Sequence, residues 1–535
     1  MGEGLKTTFA LLAKTDNEAA VRVLLPALDS PYAAVRDGAL EAIVSRRSPE
    51  GHREILRRLD RLDASWHRII AAHSHRMAPT LREAVLGDDL ALCCNACRAA
   101  VWFREYELVP ALITVLETPL SPASDLAGRT LGELVGILCH ELASPVRLYD
   151  RRDPQVVRGH LLSSLELSIK RFAGHRRREV VEAFLLLAAR DNLTLKQVLR
   201  DPLHPAFSAV TDVLGKSQQG SVIWLLLSFL EEPQAPAAAI SLISRRSDPR
   251  FVRALLQKTG REVSAVVFQN LKRIDSFAWL KSAQGLLDQL DEQAQKAAVR
   301  LVMNSGVPRA RAFETIRYLL LHGNEGGRRA ASEALEAFQG AEANELALLA
   351  ADDEDPQVQA NVLVQLRRRG IPGAVLRLVE MLDSPHPVVR KAARKSLVEF
   401  TFKRFLAAFD MLDEEVRRST GALVRKVDAQ TIPLLKLELE SKIRKRRLRA
   451  LAMARAIGVE AELESAIIER LQDEDHLIRA EAAAALGRLN TPSARRALSQ
   501  AMEDRSQAVQ EAARRSLAEN AGFDRVREAL FDPRD

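Results

Sequence analysis

The fold is decided by residues 383–397, which read DSPHPVVRKAARKSL. The stretch opens with Asp-Ser-Pro, a turn that stops one helix and whose Asp and Ser side chains can accept hydrogen bonds from the first N–H groups of the next. Val389, Ala393 and Leu397 then recur every four residues, a spacing that places them on one helix face. The stretch therefore predicts a helix, a tight turn and a second helix.

The same pattern recurs at a nearly fixed period. It returns at residues 29–36, at residues 473–486 and around residues 509–517. We take as reference a position near the start of each second helix that in most repeats follows Val or Ile, and obtain Arg328, Gln359, Arg390, Arg417, Ala450, Arg479 and Gln510, spaced by 31, 31, 27, 33, 29 and 31 residues. One hairpin cannot bury its apolar stripe alone, so this period predicts stacked hairpins.

In these turns the chain resembles the HEAT-repeat family, which has a Pro-rich turn and a Val-Arg opening of the second helix. The resemblance covers residues 20–118 and 294–520. It implies an all-α fold, a right-handed alpha-alpha superhelix of stacked helical hairpins of the HEAT type. The resemblance includes HEAT/PBS-lyase-like repeat units, whose turns have the same sequence pattern.

The resemblance further implies a ladder in which the turn Asp and the helix Arg of adjacent repeats interact. Asp29 with Arg36, and Asp383 with Arg390, have the matching spacing of seven residues. We expect the ladder to be interrupted at three positions that lack the Arg, namely Gln359, Ala450 and Gln510.

Regular repeats fill two parts of the chain, with a less regular helical region between them. We expect N-terminal repeats at 5–118, divergent helical repeats or an insertion at 119–260, C-terminal repeats at 261–520 and a tail at 521–535. Strand-like alternation is absent from the middle region. One continuous stack of roughly 13–16 hairpins fits this pattern better than separate domains do.

Composition and charge exclude several classes of protein. Aromatic residues make up only 5% of the chain, so Ala, Leu and Val must fill the core, and four cysteines do not make a disulfide framework. The longest apolar run, residues 222–230, is far shorter than the ~20 residues that cross a bilayer. We therefore expect a cytoplasmic protein without a membrane span. A net charge of +7 is small for a duplex-binding protein, which usually has a broad basic face.

The excess positive charge is concentrated in one segment, residues 436–455, which contains eight basic and two acidic residues. It lies at the start of a predicted second helix, the layer that lines the concave face in HEAT solenoids. Three interpretations stay open: a solvated turn paired with Glu438 and Glu440, a site for an acidic protein segment, or a nucleic-acid or anionic-lipid surface. The candidate partner-binding residues are Lys442, Arg444, Lys445, Arg446, Arg447 and Arg449. A further basic run, residues 367–369, lies at a predicted helix end, where cations need no partner.

Two groups of residues suggest metal chemistry, and we assign neither to it. Cys93, Cys94 and Cys97 could form part of a zinc site. The repeat register, however, places Cys93 and Cys97 at core positions, where a free cysteine behaves as a small hydrophobe. The pair His140-Glu141 is similar to the His-Glu pairs of metal-binding HEAT-like hydroxylases, but it occurs once and supplies too few ligands for two irons. We predict no catalytic, cofactor-binding or metal-binding residue.

The sequence favours a non-enzymatic protein–protein interaction scaffold or adaptor that uses the concave face of the repeat stack. Its expected partner is another protein or an acidic peptide segment, and no cofactor is expected. The alternative is nucleic-acid binding along a basic inner face. A HEAT-like DNA glycosylase or a phycobilin-lyase-like cofactor protein is supported only by the repeat, and fold analogy does not establish function.

Overall fold

The computed structural model describes residues 3–46, 48–59, 64–143, 153–281 and 283–530. Within these ranges the chain forms 35 α-helices and six short 3-10 turns, and no β-strand. The all-α fold of stacked helices predicted from the sequence is therefore confirmed. No helix in the described part of the chain is both long and apolar enough to cross a lipid bilayer.

The chain divides into two compact units, Met1–Thr315 and Ile316–Asp535. The helices of the first are α1 Glu3–Lys14, α2 Ala19–Ala27, α3 Ala33–Arg46, α4 Pro49–Arg57, α5 Ala64–Ala72, α6 Ser74–Leu86, α7 Leu90–Phe103, α8 Val109–Glu117, α9 Ser124–Ala143, α10 Pro154–Lys170, α11 Phe172–His175, α12 Arg178–Leu187, α13 Leu193–Arg200, α14 Phe207–Lys216, α15 Gly220–Ser228, α16 Ala237–Arg245, α17 Pro249–Thr259, α18 Ala265–Lys272, α19 Ala278–Lys281, α20 Ala283–Leu287 and α21 Glu292–Asn304. The division falls within α22, Arg309–His322.

The helices of the second unit are α23 Glu325–Ala334, α24 Ala341–Ala350, α25 Pro356–Leu366, α26 Ala374–Glu380, α27 Pro387–Ser396, α28 Phe402–Ala408, α29 Glu414–Val427, α30 Thr431–Leu439, α31 Arg444–Ile457, α32 Glu464–Arg470, α33 His476–Leu486, α34 Pro492–Ala501 and α35 Gln507–Leu530. The 3-10 turns are Tyr106–Leu108, Phe229–Glu231, Leu335–Ala337, Met381–Asp383, Val398–Phe400 and Phe409–Met411. Of the predicted tail, residues 521–530 continue α35 and residues 531–535 lie outside the described residues.

The second unit is built from two helical layers. The odd-numbered helices α23 to α35 are the second helices of the hairpins and form what we call the B layer, while the even-numbered helices α24 to α34 form the A layer. In the B layer α25 packs on α23 and α27, and α31 packs on α29 and α33. Each A helix packs on the B helix that follows it, as α30 does on α31 and α32 on α33. This stacking buries the apolar stripe that a single hairpin would expose.

The first unit stacks helices in the same way, including the region whose repeat pattern is weak. There α9 packs on α12, α12 on α14 and α14 on α16. The expectation that residues 119–260 are helical is confirmed for the described part of that region. The boundaries placed at residues 118 and 260 remain predictions.

The deciding turn folds as its sequence predicts, with one change in its hydrogen bonds. The 3-10 turn Met381–Asp383 closes the first helix, and α27 begins at Pro387. Ser384 Oγ accepts from the His386 N–H at 3.3 Å, whereas the Asp383 carboxylate pairs with Lys426 at 2.7 Å and does not cap α27. The expected apolar face is fully buried and consists of Val389, Ala393 and Leu397.

The reference residue of each repeat binds the carbonyl groups of its own turn. The Arg390 guanidinium donates to the carbonyls of Ser384 at 2.7 Å and Pro385 at 2.9 Å. Gln359 and Gln510 reach the corresponding turn carbonyl through Nε2, each at 2.7 Å. A Gln at this position therefore keeps a hydrogen bond to a turn carbonyl, an acceptor that the end of the preceding helix would otherwise leave without a donor.

Carboxylate rungs form between neighbouring repeats, but not at the predicted pairs. Asp29 lies 3.4 Å from Arg58, and Asp383 pairs with Lys426, so the proposed rungs to Arg36 and Arg390 are wrong. Among the described residues, rungs join the reference Arg to the turn Asp of the following repeat at Arg328–Asp353, 3.0 Å, Arg447–Asp473, 2.9 Å, and Arg479–Asp504, 2.8 Å.

The position assigned to Ala450 is also wrong. Arg447 donates to the carbonyls of Ser441 at 3.0 Å and Lys442 at 3.1 Å, and so it fills the role that Arg390 has in its own repeat. Ala450 is a buried apolar residue further along the same helix. The sequence does not distinguish the two positions, because Arg446 precedes Arg447 and Arg449 precedes Ala450, so neither follows a Val or Ile.

Candidate functional site

The basic segment begins at the end of the turn before α31. Lys442 lies in the turn, and Arg444 to Arg447 form the first turn of the helix. Cations at a helix N-terminus oppose the macrodipole, so they gain most from carboxylates nearby. The six predicted partner-binding residues differ in whether a carboxylate of the same chain lies close enough to pair with them.

Arg447 is buried within the repeat stack and does not face a partner. Its side chain is only 7% exposed, and the Asp473 carboxylate opposite it is 4% exposed. The two groups are 2.9 Å apart, and Arg447 also binds two turn carbonyls. Its inclusion among the partner-binding residues is corrected, since these contacts hold two repeats together.

Arg446 and Arg444 are exposed but paired. Arg446 binds both oxygens of Glu438, with Nε at 2.8 Å from Oε2, and this hydrogen bond lowers the pKa of the Glu438 carboxyl. Arg444 donates to the N-cap carboxylate of Asp475 and lowers the pKa of that carboxyl. The interpretation of the segment as paired with Glu438 thus holds for Arg446, and Asp475 is a further partner from the next repeat.

Lys442, Lys445 and Arg449 complete the segment. Lys445 Nζ and Arg449 Nη1 lie 3.8 and 3.7 Å from the Asp410 carboxylate, and the Lys445 side chain is 82% exposed. Lys442 is exposed and forms no ion pair with any described residue. Between them Ile443, which the sequence analysis did not single out, is 57% exposed. The accessible part of the segment is therefore a small edge, formed by Lys442, Ile443, Arg444 and Lys445.

A second basic surface was missed. Arg367 and Arg368, which the sequence places at a favourable helix end, line an open groove with Lys395 and two valines. The signal was present in the sequence, because residues 387–404 contain six basic residues and one acidic residue. From the sequence we considered the densest cluster of cations, residues 436–455, and did not consider the more evenly spread cations of residues 387–404.

The cysteine cluster belongs to the core, as predicted. Cys93 and Cys97 are 1% and 2% exposed on α7. The hydrogen bond with Cys93, together with burial, raises the pKa of the Cys97 thiol, so this sulfur stays protonated and is a poor metal ligand. Among the described residues no group of three or more His, Cys, Asp and Glu side chains is arranged to hold a metal ion.

The pair His140-Glu141 has a structural explanation. Glu141 accepts a hydrogen bond from the Tyr106 hydroxyl at 2.9 Å and pairs with Arg104. These contacts tie α9 to the segment that follows α7. His140 is exposed on the helix surface.

The comparisons with known proteins concern the repeat. Residues 430–518 match the family model of HEAT repeats, and no curated protein matches the chain. A chain of a homology model of the full-length AP-3 complex is 12% identical, with 96% of this chain and 93% of that chain covered, at a TM-score of 0.36. A chain from work on a phosphorylation switch in the interaction between cadherin and beta-catenin is 14% identical, with 94% and 99% covered, at a TM-score of 0.35.

The matched residues begin just before α30 and end within α35. They include the reference residues Arg447 and Arg479 and their carboxylate partners Asp473 and Asp504. The segment in which the ladder is best formed is thus the one that the family model matches. Residues 430–518 are thus HEAT repeats, as their turn sequences predicted.

Proposed function

We propose that the protein is a non-enzymatic scaffold that binds an acidic segment of another protein. Folds of this type are typical of interaction scaffolds, because each repeat adds a few side chains to one extended surface. The observation that carries the proposal is the edge formed by Lys442, Ile443, Arg444 and Lys445, where exposed cations surround an exposed apolar side chain. Such a surface fits a segment that combines carboxylates with an apolar residue.

The state of the individual cations supports this proposal. Lys442 has no carboxylate partner among the described residues, and Lys445 is 3.8 Å from its nearest one. The pair of Arg444 with Asp475 is exposed to solvent, and exposed ion pairs contribute little to stability. These three cations can therefore turn to a partner without loss to the repeat stack, which Arg447 cannot.

The proposal is tested by recovering the tagged full-length protein from native lysate, with and without nuclease. We expect protein partners in stoichiometric amounts that survive nuclease, and their loss in the Lys442→Glu/Lys445→Glu variant. The matched control is Lys403→Glu/Arg404→Glu, which makes the same change of charge on the A-layer helix α28.

Two results would contradict the proposal. Recovery of the same partners by both variants would show that the edge is not used. A high 260/280 nm ratio that collapses with nuclease, with binding that weakens steeply as salt rises, would instead favour nucleic-acid binding.

A further inference from the structure

The groove between α25 and α27, which we call the α25–α27 groove, is a second candidate binding surface. Its volume is about 580 Å³, and its walls come from the ends of two adjacent B-layer helices. This size lies within the range of cavities that hold ligands or short peptide side chains. The lining residues are Val364, Arg367, Arg368, Lys395, Ser396 and Val398.

Hydrogen bonds between the two helices fix the floor of the groove. The Ser396 hydroxyl donates to the Leu363 carbonyl at 3.1 Å, and Arg367 Nη1 lies 3.3 Å from the Ser396 carbonyl. Each contact joins one repeat to the next. Val398 at the end of the groove remains 54% exposed. The groove is thus preformed and presents apolar surface to solvent, which favours binding because little has to be ordered.

One face of α27 supplies cations that the chain does not neutralise. Lys391, Arg394 and Lys395 are exposed and lie within one helical turn of each other. None of the three forms an ion pair with a described residue, and α27 itself contains no acidic residue. Of these three uncompensated charges, Lys395 lines the groove, while Lys391 and Arg394 lie beside it within one turn of the same helix.

Other cations of the B layer differ from these three. Arg418 on α29 pairs with Glu414 at 3.0 Å, and Arg455 on α31 pairs with Glu481 at 3.1 Å. Within the groove Arg368 pairs with Glu336 at 2.7 Å. These exposed cations have carboxylate partners, whereas Lys391, Arg394 and Lys395 on α27 have none among the described residues.

We infer that the α25–α27 groove binds an acidic segment of a partner protein, whose carboxylates pair with Lys391, Arg394 and Lys395 and whose apolar side chain packs on Val364 and Val398. The inference rests on the proposed function, and it assigns to that function a site separate from the edge at α31. Charge complementarity selects the carboxylates, and the exposed Val398 together with the half-buried Val364 selects an apolar residue between them.

The same groove is poorly suited to a nucleic acid. Glu336 and Glu399 pair with the lining residues Arg368 and Arg367, and these carboxylates would repel a continuous phosphate backbone. A peptide can place its carboxylates along α27 alone. Val398 and Val364 would gain nothing from a phosphate but can pack against an aliphatic side chain.

The test uses the full-length protein and a fluorescein-labelled peptide of Glu residues with a central Leu, followed by fluorescence anisotropy. We expect the Lys391→Glu/Lys395→Glu variant to bind at least about tenfold more weakly. The control is Lys403→Glu/Arg404→Glu on α28, whose cations are also exposed and unpaired among the described residues, and it should change Kd by less than about twofold. Circular dichroism of both variants checks that the helices are intact.

A second variant tests the apolar contact. Val398→Ser should weaken binding of the Leu-containing peptide by about threefold, and it should leave an all-Glu peptide unaffected, because only the former buries its side chain there. The inference is overturned if the peptide does not bind, if the two double variants lose affinity equally, or if a phosphopeptide or a single-stranded oligonucleotide binds more tightly than the Glu–Leu peptide.

The two proposals fail separately. If partners are recovered from lysate and depend on Lys442 and Lys445, but the Glu–Leu peptide does not bind, the groove is refuted and the scaffold function stands. If the peptide binds as expected but no protein partner is recovered with or without nuclease, the scaffold function is refuted and the groove remains an acidic-peptide site.

Discussion

Replacement of Arg447 by Ala tests whether the densest basic run builds the repeat stack or serves a partner. The side chain is 7% exposed. It donates hydrogen bonds to the carbonyls of Ser441 and Lys442 and forms an ion pair with the carboxylate of Asp473. Its loss would leave the Asp473 carboxylate, itself 4% exposed, with only the more distant Arg470, at 3.9 Å, as a charge partner. Two turn carbonyls would lose a hydrogen bond as well.

The expected loss is large for one residue. Removing one partner of a buried ion pair costs ~3–5 kcal/mol when the other charge is left without compensation. We expect the lower end of this range, because Arg470 still lies 3.9 Å from the Asp473 carboxylate. In a stack of repeats this cost falls on the interface between α31 and α33, because each repeat contacts only its neighbours. Asp473→Asn should cost less, since a neutral amide can still accept from Arg447.

Urea unfolding and amide hydrogen exchange provide the assay. A repeat protein need not unfold in a single step, so exchange in α31 to α33 reports the local loss more directly than a global midpoint does. The matched control is Arg444→Ala, whose guanidinium is 54% exposed in its pair with Asp475 and whose loss should leave exchange nearly unchanged. If amide exchange in these helices is equally slow in both variants, Arg447 is not part of the ladder that holds the repeats together.

Two further predictions concern the first unit. Gly306→Ala should destabilise the protein by ~1–3 kcal/mol in thermal or urea unfolding, because the added Cβ would lie 2.4 Å from the Lys272 carbonyl oxygen, whereas Gly136→Ala, with no atom within 4 Å, should stabilise it slightly. Burial lowers the pKa of His52, so the unfolded chain takes up a proton first and stability should fall as the pH drops below about 6.5. His52→Gln should flatten this dependence, and equal slopes for both proteins would contradict it.

The features predicted correctly from the sequence are those set by local spacing. The four-residue intervals between Val389, Ala393 and Leu397 are enough to predict a buried helix face. Alignment of the repeats is enough to predict that Cys93 and Cys97 are buried. These inferences need only the geometry of one helix and the register of its repeat.

The features that the sequence did not predict depend on how neighbouring repeats stack on each other. Whether a turn Asp meets the Arg of its own repeat or of the previous one is decided by how the hairpins stack, and Asp473 meets Arg447 rather than Arg479 through both carboxylate oxygens. The reference position was misplaced to Ala450 because its neighbours departed from the Val-Arg pattern. A hydrogen bond to turn carbonyls has no sequence signature beyond that pattern.

The same limitation applies to local counts of charge. A window over residues 436–455 contains two acidic residues, yet Asp473 and Asp475, which pair with Arg447 and Arg444, come from the following repeat. In a stacked protein the carboxylates that compensate a helix are found about one period away. The net charge of a continuous segment therefore overstates the charge that it presents to a partner.

For α27 the neighbouring repeat does not supply this compensation. The next repeat begins after 27 residues instead of 31, and α29 packs on the 3-10 turn Val398–Phe400. Its acidic first turn is used locally, since Asp413 caps α29 and Glu414 pairs with Arg418. The cations of α27 consequently stay uncompensated although acidic residues follow at nearly the right distance. We infer that the shortened repeat leaves the cations of α27 available to an acidic partner, independently of the dense basic run at α31.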